Sequence, residues 1–264
     1  MIRNVLVGTD GSRYAEGAAR YGVWAAQAAG TKLIGCYVLD IRLLDGPFFA
    51  RLAAMLGFAP ATDFRAAAEP VLRGLGETAL GFIAELARKA GVSYEEIITS
   101  GPVASTLVER AQRADLVVIG RQGDHAEYEN DMLGNVAEGV LKRVNTAIML
   151  APADFEKPSR VVVFVNDEPS AEEALLLAVD LSAGQRVLVI HEGGARDRAE
   201  KLLKSYDLQA EYEELALPLE ERISDLDPAE LVVIGATGGG DHLVISQRTQ
   251  RAIRDATGPI IVTA

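Results

Sequence analysis

Cysteine, histidine and positive charge are all scarce in this chain, and each shortage closes a class of function. Among 264 residues there is one cysteine. Cys36 therefore has no partner for an intrachain disulfide, and its place inside an apolar run marks it as a small buried hydrophobe without redox chemistry. The three histidines, His125, His191 and His242, stand apart from one another. None has the His-Glu-x-x-His spacing that turns two imidazoles onto one metal, so no zinc or iron site is expected. No Gly-x-Ser-x-Gly elbow occurs and Ser12 lacks an evident histidine and acid, which leaves a hydrolase unsupported. Basic residues number 26 against 38 acidic ones, for a net charge of -12. A polyanion binder needs clustered positive charge to displace counterions, so neither nucleic acid nor an anionic membrane is an expected partner. No apolar run approaches the ~20 residues of a membrane helix, and the apolar run in MIRNVLVGTDGS is too short for a signal peptide, so the expected location is cytoplasmic.

What is present is an ordinary globular composition, 49% hydrophobic and 24% charged, spread over enough chain for one large or two small domains. Internal repetition decides between these. ADLVVIGRQG (Ala114 to Gly123) returns as AELVVIGATG (Ala229 to Gly238). Each copy follows a Pro-led helical pattern, at Pro102 and Pro218, and a strand-like stretch with Tyr-Glu-Glu at Tyr94 and Tyr212. Earlier, RNVLVGTDG (Arg3 to Gly11) matches SRVVVFVND (Ser159 to Asp167), and TKLIGCYVL (Thr31 to Leu39) matches GQRVLVIHE (Gly184 to Glu192). TAIMLA (Thr146 to Ala151) matches GPIIVT (Gly258 to Thr263). The copies are placed at residues 1–153 and 160–264 and joined by the polar linker ADFEKPS. The second lacks about 35 residues of the first between its second and third strands. That extra region, Arg42 to Gly91, includes PFFARLAAMLGF and a long helix through Phe82 and Leu86, which packs either internally or over a neighbour or the site.

The apolar runs are short, continuous and rich in Val, Ile and Leu, the mark of strands buried on both faces of a parallel sheet. Helical periods separate them. Ser12 to Gly30 opens on a Ser N-cap, closes on Gly, and lines up Ala15, Ala18, Ala19, Tyr21, Trp24 and Ala25 on one stripe. The expected fold class is α/β: two doubly wound, Rossmann-like parallel-sheet domains in tandem, related by a pseudo-twofold axis, with ligand sites outside the carboxyl ends of the strands. The short apolar final strands, Ala147 to Leu150 and Pro259 to Val262, would each be an exposed edge unless they meet.

The chemistry-bearing residues fall at those strand ends. Strand one runs into Gly8-Thr9-Asp10-Gly11-Ser12, where Asp10 offers a carboxylate that accepts from a ribose diol or an adenine amino group, or else merely caps the next helix. Strand four ends at Gly120, followed by Arg121, Gln122 and Gly123, then an acidic loop, then Gly134, Asn135 and Val136 opening a helix to Arg143. Glycines at 120, 123 and 134 let backbone approach a ligand closely, and the helix start presents N–H groups to phosphate; a turn without function is the alternative. Arg121 reads either as a phosphate contact or as a surface arginine.

Together these residues resemble the universal stress protein family, in which an Asp-Gly-Ser near the start and a Gly-x2-Gly-x9-Gly-Ser/Thr motif after strand four bind ATP. The resemblance covers the chain as a tandem pair, with VLVGTDGS and LVVIGRQGD its strongest matches. It implies that Asp10, beside Gly8 and Thr9, contacts ribose or adenine and that the backbone of Val38 meets adenine. It further implies that Gly120 and Gly123, with Arg121, line ribose and phosphates, and that Gly134, Asn135 and Val136 hold the outer phosphates. Two departures stand out: ten residues separate Gly123 from Gly134, and Asn135 replaces Ser or Thr. ATP implies Mg2+, and Asp124, Glu127, Glu129 and Asp131 are either its helpers or a solvated loop.

In the second copy Asn166 replaces Asp10, Phe164 replaces Gly8, and Arg248-Thr249 takes the final Gly-Ser/Thr place, while Gly235 and Gly238 persist. Gly238-Gly239-Gly240-Asp241-His242 lacks the Gly-Lys-Ser/Thr of a phosphate loop and reads as a turn. The implied function is a regulatory or stress-response adenine-nucleotide-binding protein without efficient turnover, not an enzyme. Its second copy supplies an internal pseudo-dimer partner and leaves higher homo-oligomers open. The alternatives are a fold that has lost its nucleotide and acts by interaction, or a nucleotide-dependent transferase.

Overall fold

The computed structural model describes residues 1–40, 51, 54–55, 61–123, 133–236 and 244–263. The first half lays down β1 (Asn4–Thr9), α1 (Arg13–Ala28), β2 (Lys32–Leu39), α2 (Ala61–Ala90), β3 (Tyr94–Ser100), α3 (Val103–Ala111), β4 (Leu116–Gly120), α4 (Asn135–Leu141) and β5 (Ala147–Ala151). The second repeats the order with β6 (Arg160–Val165), α5 (Ser170–Leu181), β7 (Val187–His191), α6 (Ala195–Ser205), β8 (Ala210–Glu214), α7 (Leu219–Ser224), β9 (Glu230–Gly235), α8 (Gln247–Asp255) and β10 (Ile260–Thr263). The first copy's extra length falls in the β2–β3 connection, where α2 has 30 residues against 11 for α6. PFFARLAAMLGF, the loop from Asp124 to Met132 and the string Gly238 to His242 lie outside the described residues, apart from Arg51 and Ala54–Met55.

Strands within a half are all parallel, and the halves are not two separate sheets. They form one ten-stranded sheet in the order β3-β2-β1-β4-β5-β10-β9-β6-β7-β8. The final strands meet edge to edge, as expected, in the sheet's one antiparallel step, with Ile260 opposite Leu150, Ile261 opposite Met149 and Val262 opposite Ile148. Alternating side chains feed two cores. Val5, Val7, Met149 and Ile261 face α1, α2, α5 and α6. Leu6, Ile148, Leu150 and Val262 face α3, α4, α7 and α8. Every strand with both neighbours in place is thus buried on both faces, which is why its sequence shows no polar alternation.

The helices follow their sequence signals. Ser12 caps α1 by accepting from the N–H of Ala15 at 3.2 Å. Ala15, Ala18, Ala19, Tyr21 and Ala25 are buried and Trp24 half-buried. Pro102 and Pro218 stand immediately before α3 and α7. The helix opened by Asn135 ends at Leu141 rather than Arg143. In α2, Leu80, Ile83 and Ala87 bury against the sheet, so this helix has the plain packing role. Cys36 is fully buried, and burial pushes its thiol up to about 11.

Polar contacts also bind the first half to the second and to the linker. The backbone N–H of Ile2 donates to the Asp180 carboxylate in α5 at 2.6 Å. In the linker, Glu156 N–H donates to the hydroxyl of Tyr21 at 3.2 Å, and Phe155 packs edge-on to the Tyr21 ring at 4.8 Å. Gly17 is the close-approach point, since a side chain there would collide with the carbonyls of Pro152 and Ala153.

Because the cores run through the β5–β10 seam, the halves are expected to unfold together. Ile261→Ala removes fully buried volume at a cost of about 2–5 kcal/mol. Trp24, the one tryptophan, reports only on the first half. In urea, the variant's Trp24 fluorescence midpoint is expected to fall together with its circular-dichroism midpoint; an unchanged Trp24 midpoint would mean independent units.

Candidate functional site

In a doubly wound sheet the crevice opens beyond the carboxyl ends of strands that diverge into helices on opposite faces. Here β1 and β4 are neighbours and lead into α1 and α4 on opposite faces. Three side chains, those of Thr9, Asp10 and Ser12, shape the turn out of β1. Thr9 Oγ1 accepts from Gly11 N–H at 3.2 Å, Asp10 Oδ1 from Ser12 N–H at 2.9 Å, and Ser12 caps α1. Gly11 has φ +81°, a conformation most side chains resist. Ser12 alone caps α1, while Asp10 closes the turn before it with one carboxylate oxygen. The other lies 3.1 Å from the place a Gly123 Cβ would occupy, so the exposed Asp10 side chain faces the turn after β4.

That turn is fixed by Gly134 N–H, which donates to the Arg121 carbonyl at 2.8 Å. Gly134 itself has φ -64°, so positive φ is not its reason for being glycine. A Cβ there would press on Gln122 Cα and Gly123 N, both at 3.3 Å. Gly120 is likewise accounted for from within: a Cβ would lie 2.7 Å from that of Tyr14 in α1. Gly8 is buried between Ile119 and Leu107, below the crevice. Close packing of the chain on itself thus explains these glycines. Asp10, Gly123 and Gly134 nevertheless converge across one crevice from three separate segments. Val38 is one position beyond Tyr37, which pairs with Thr9 at the end of β1. Asn135 and Val136 are exposed at the start of α4, and Gly134 provides no side-chain cap.

Arg121 departs from its expected role. Its guanidinium crosses to the second half, where Nη1 and Nη2 donate to the carbonyls of Ala256 and Gly258. Both acceptors lie in the turn that leads into β10, so the side chain points away from the Asp10 crevice and toward the seam.

The second half shows what became of the equivalent crevice, and it corrects two matches made on sequence. Leu33 and Val187 pack on the same face, and Thr9 pairs with Tyr37 as Val165 pairs with His191. Glu192 therefore stands at the place of Val38, not Leu39. Buried Thr249, Ala252 and Ile253 of α8 repeat buried Ala137, Val140 and Leu141 of α4. Ser246 and Gln247 therefore occupy the places of Gly134 and Asn135, and Arg248 takes that of Val136. Arg248 reaches across this crevice and holds the Glu192 carboxylate with both guanidinium nitrogens, Nη1 at 2.9 Å. Ser246 caps its own helix by accepting from Thr249 N–H at 3.0 Å. Ser170 Oγ donates to the Ala236 carbonyl at 2.6 Å, and Arg198 to that of Asn166 at 2.6 Å. None of these closures was foreseen, although Ser-x-x-Thr at Ser246 is a legible cap signal.

Among the described residues no three His, Cys, Asp or Glu side chains gather as a metal site, and no helix is long and apolar enough to cross a membrane. The acidic residues Asp124, Glu127, Glu129 and Asp131 and the histidines His125 and His242 lie outside the described residues.

The architecture is that of tandem doubly wound α/β domains fused through their last strands, with the second strand-end crevice bridged by side-chain bonds that the described residues of the first do not repeat. The sequence profile described as the universal stress protein family matches residues 1–152, and the chain belongs to that family. It is 22% identical over 284 aligned positions to a universal stress protein of Synechocystis, covering 98% of this chain and 99% of that one. The crystal structure of a universal stress protein from Archaeoglobus fulgidus superimposes with TM-score 0.69 at 16% identity, covering 98% of this chain and 95% of the other. A functionally unknown protein from Pseudomonas aeruginosa gives TM-score 0.60 at 14% identity over 99% and 92%. These likenesses extend the fold over both halves.

The Arg248 bond holds the Glu192 carboxyl below its usual range. A carboxyl with a lowered folded-state pKa stabilises above its unfolded pKa, and the contribution disappears as pH falls through the folded value. Both groups are more than a third exposed, so the pair contributes at most about 1 kcal/mol. Urea midpoints measured from pH 7 down to 3 are expected to show Arg248→Met less stable than wild type at neutrality and the gap closing in acid; a gap independent of pH would assign the loss to packing.

Proposed function

We propose that the chain binds one adenine nucleotide, in the crevice of its first half, and acts as a regulatory protein whose surface is biased by occupancy rather than as an enzyme with efficient turnover. The observation that carries this reading is the contrast between equivalent crevices. In the first, Asp10 and the turn at Gly123 face a helix start without a side-chain cap. In the second, the same positions are occupied by Asn166, a self-capped helix and the Glu192–Arg248 pair. Polar groups at a strand end need partners, and in the second crevice internal pairs supply them.

The residues present suit the group. Asp10 keeps one carboxylate oxygen toward the crevice to accept from ribose or adenine, and the Val38 backbone stands beside it at the strand end. Gly134 is too small to cap α4, and the opening N–H groups of a helix, which have no acceptor within it, suit phosphate oxygens. Mg2+ would accompany ATP as the counter-charge to its phosphates. Arg121 is left out of the phosphate contacts because its guanidinium is held by the second half.

Calorimetric titration of ATP into the whole protein is expected to give one site. Asp10→Ala should weaken it by about 1–3 kcal/mol, the range for a lost hydrogen bond to a charged group, while Asn166→Ala leaves affinity unchanged. Two equal sites, or none, would overturn the proposal. If a fold without nucleotide were the right reading, no adenine nucleotide would be released on denaturing the freshly purified protein.

A further inference from the structure

We propose a second ligand site at the junction of the halves, taking a small molecule that joins an aromatic ring to an oxyanion, a carboxylate or a phosphate monoester, held against the half-buried guanidinium of Arg121. A cavity of 620 Å³ opens there between the start of α1, the linker and the turn after α8. Its walls include the rings of Tyr14, Tyr21 and Phe155 together with Ile253, which form an aromatic and aliphatic lining of the kind that seats a flat ring.

The charge on the lining is uneven. Arg121 is bonded only to the neutral carbonyls of Ala256 and Gly258, and its buried Nε has no acceptor among the described residues. Burial pulls its pKa down to about 10, so at neutral pH it remains a cation, with no carboxylate bonded to it among the described residues. The acidic residues on the lining, Asp154 and Glu156, are exposed at the mouth. Asp154 is already held by two bonds from Arg13, at 2.7 and 2.9 Å. Arg254, also on the wall, pairs with Asp255 at 2.9 Å. The interior is cationic and the rim is nearly neutralised. An oxyanion would supply the missing counter-charge in a setting where charge-assisted hydrogen bonds are strong. Tyr21 accepts from Glu156 N–H and keeps its phenolic proton to donate.

The cavity lining contains none of Asp10, Gly123 and Gly134.

The test titrates phenyl phosphate, benzoate and the neutral isostere benzamide into the whole protein by calorimetry, with sodium chloride at matched ionic strength in the reference. Saturable binding of phenyl phosphate or benzoate, at least about tenfold tighter than benzamide, is expected. Arg121→Met should lower that affinity at least about tenfold. Because this variant also gives up the bonds to Ala256 and Gly258, Thr257→Trp serves as a second. Thr257 is an exposed residue on the wall, and the larger side chain should block binding while leaving Arg121 in place. Benzamide binding equal to benzoate, undiminished binding in Thr257→Trp, or no saturable binding of either anion would overturn the proposal.

Discussion

The structure depends on the antiparallel pairing of β5 with β10. A five-stranded parallel unit with order 3-2-1-4-5 ends on a strand as apolar as its centre, and Ala147 to Ala151 is buried at every position. Such an edge is unstable in water, because its N–H and C=O groups are unpaired while its side chains are hydrophobic. Joining two such edges satisfies both ladders and makes each pair of facing cores continuous. Placement of the linker, of Arg121 and of the junction cavity all follows from that one join. The parallel strands within each half need only their crossover helices, whereas the seam needs the whole second copy.

How much of this was legible depended on which physics wrote each segment. Buried parallel strands leave continuous runs such as LVVIG, and their recurrence at Ala114 and Ala229 revealed the duplication, the fold class and the meeting of the last strands. Local capping was equally plain at Ser12. The same uniform runs hid the strand register, because nothing within VLVIH marks which residue faces which core; placing Glu192 against Leu39 instead of Val38 was a one-residue slip of the kind such strands allow. Counting forward from Gly238 misplaced the second helix start by two residues, since loop length is not conserved between copies whereas buried faces are. The three glycines after β4 were visible, but what each one touches was not. Arg121 illustrates the limit most clearly: its long side chain leaves its own turn for a carbonyl pair in the other half, which no local pattern encodes.

The two crevices occupy equivalent places in the fold but differ in how their side chains are used. In the first half, Asp10, Gly123 and Gly134 converge from three segments. In the second, substitutions at equivalent places have become mutually satisfying, with Arg248 against Glu192 and Ser246 against Thr249. Among the described residues of this second crevice, charges and polar groups are paired with one another. The half that has lost its opening still provides the covering edge and the acceptors for Arg121, so it remains structurally indispensable.

The position of β10 in the chain carries a consequence for synthesis. Ribosomes deliver β5 long before β10, because the entire second half lies between them. During that interval the nascent first half carries an uncovered apolar edge formed by Ala147 to Ala151, and the matching edge on a neighbouring nascent chain is an equally good partner in composition. Chains on one polysome therefore risk β5-to-β5 pairing before their own β10 arrives. The linker works against this. It is short and anchored to Tyr21 through Phe155 and Glu156, keeping the second half close as it emerges, so that the intramolecular partner has the advantage of local concentration over any partner in trans.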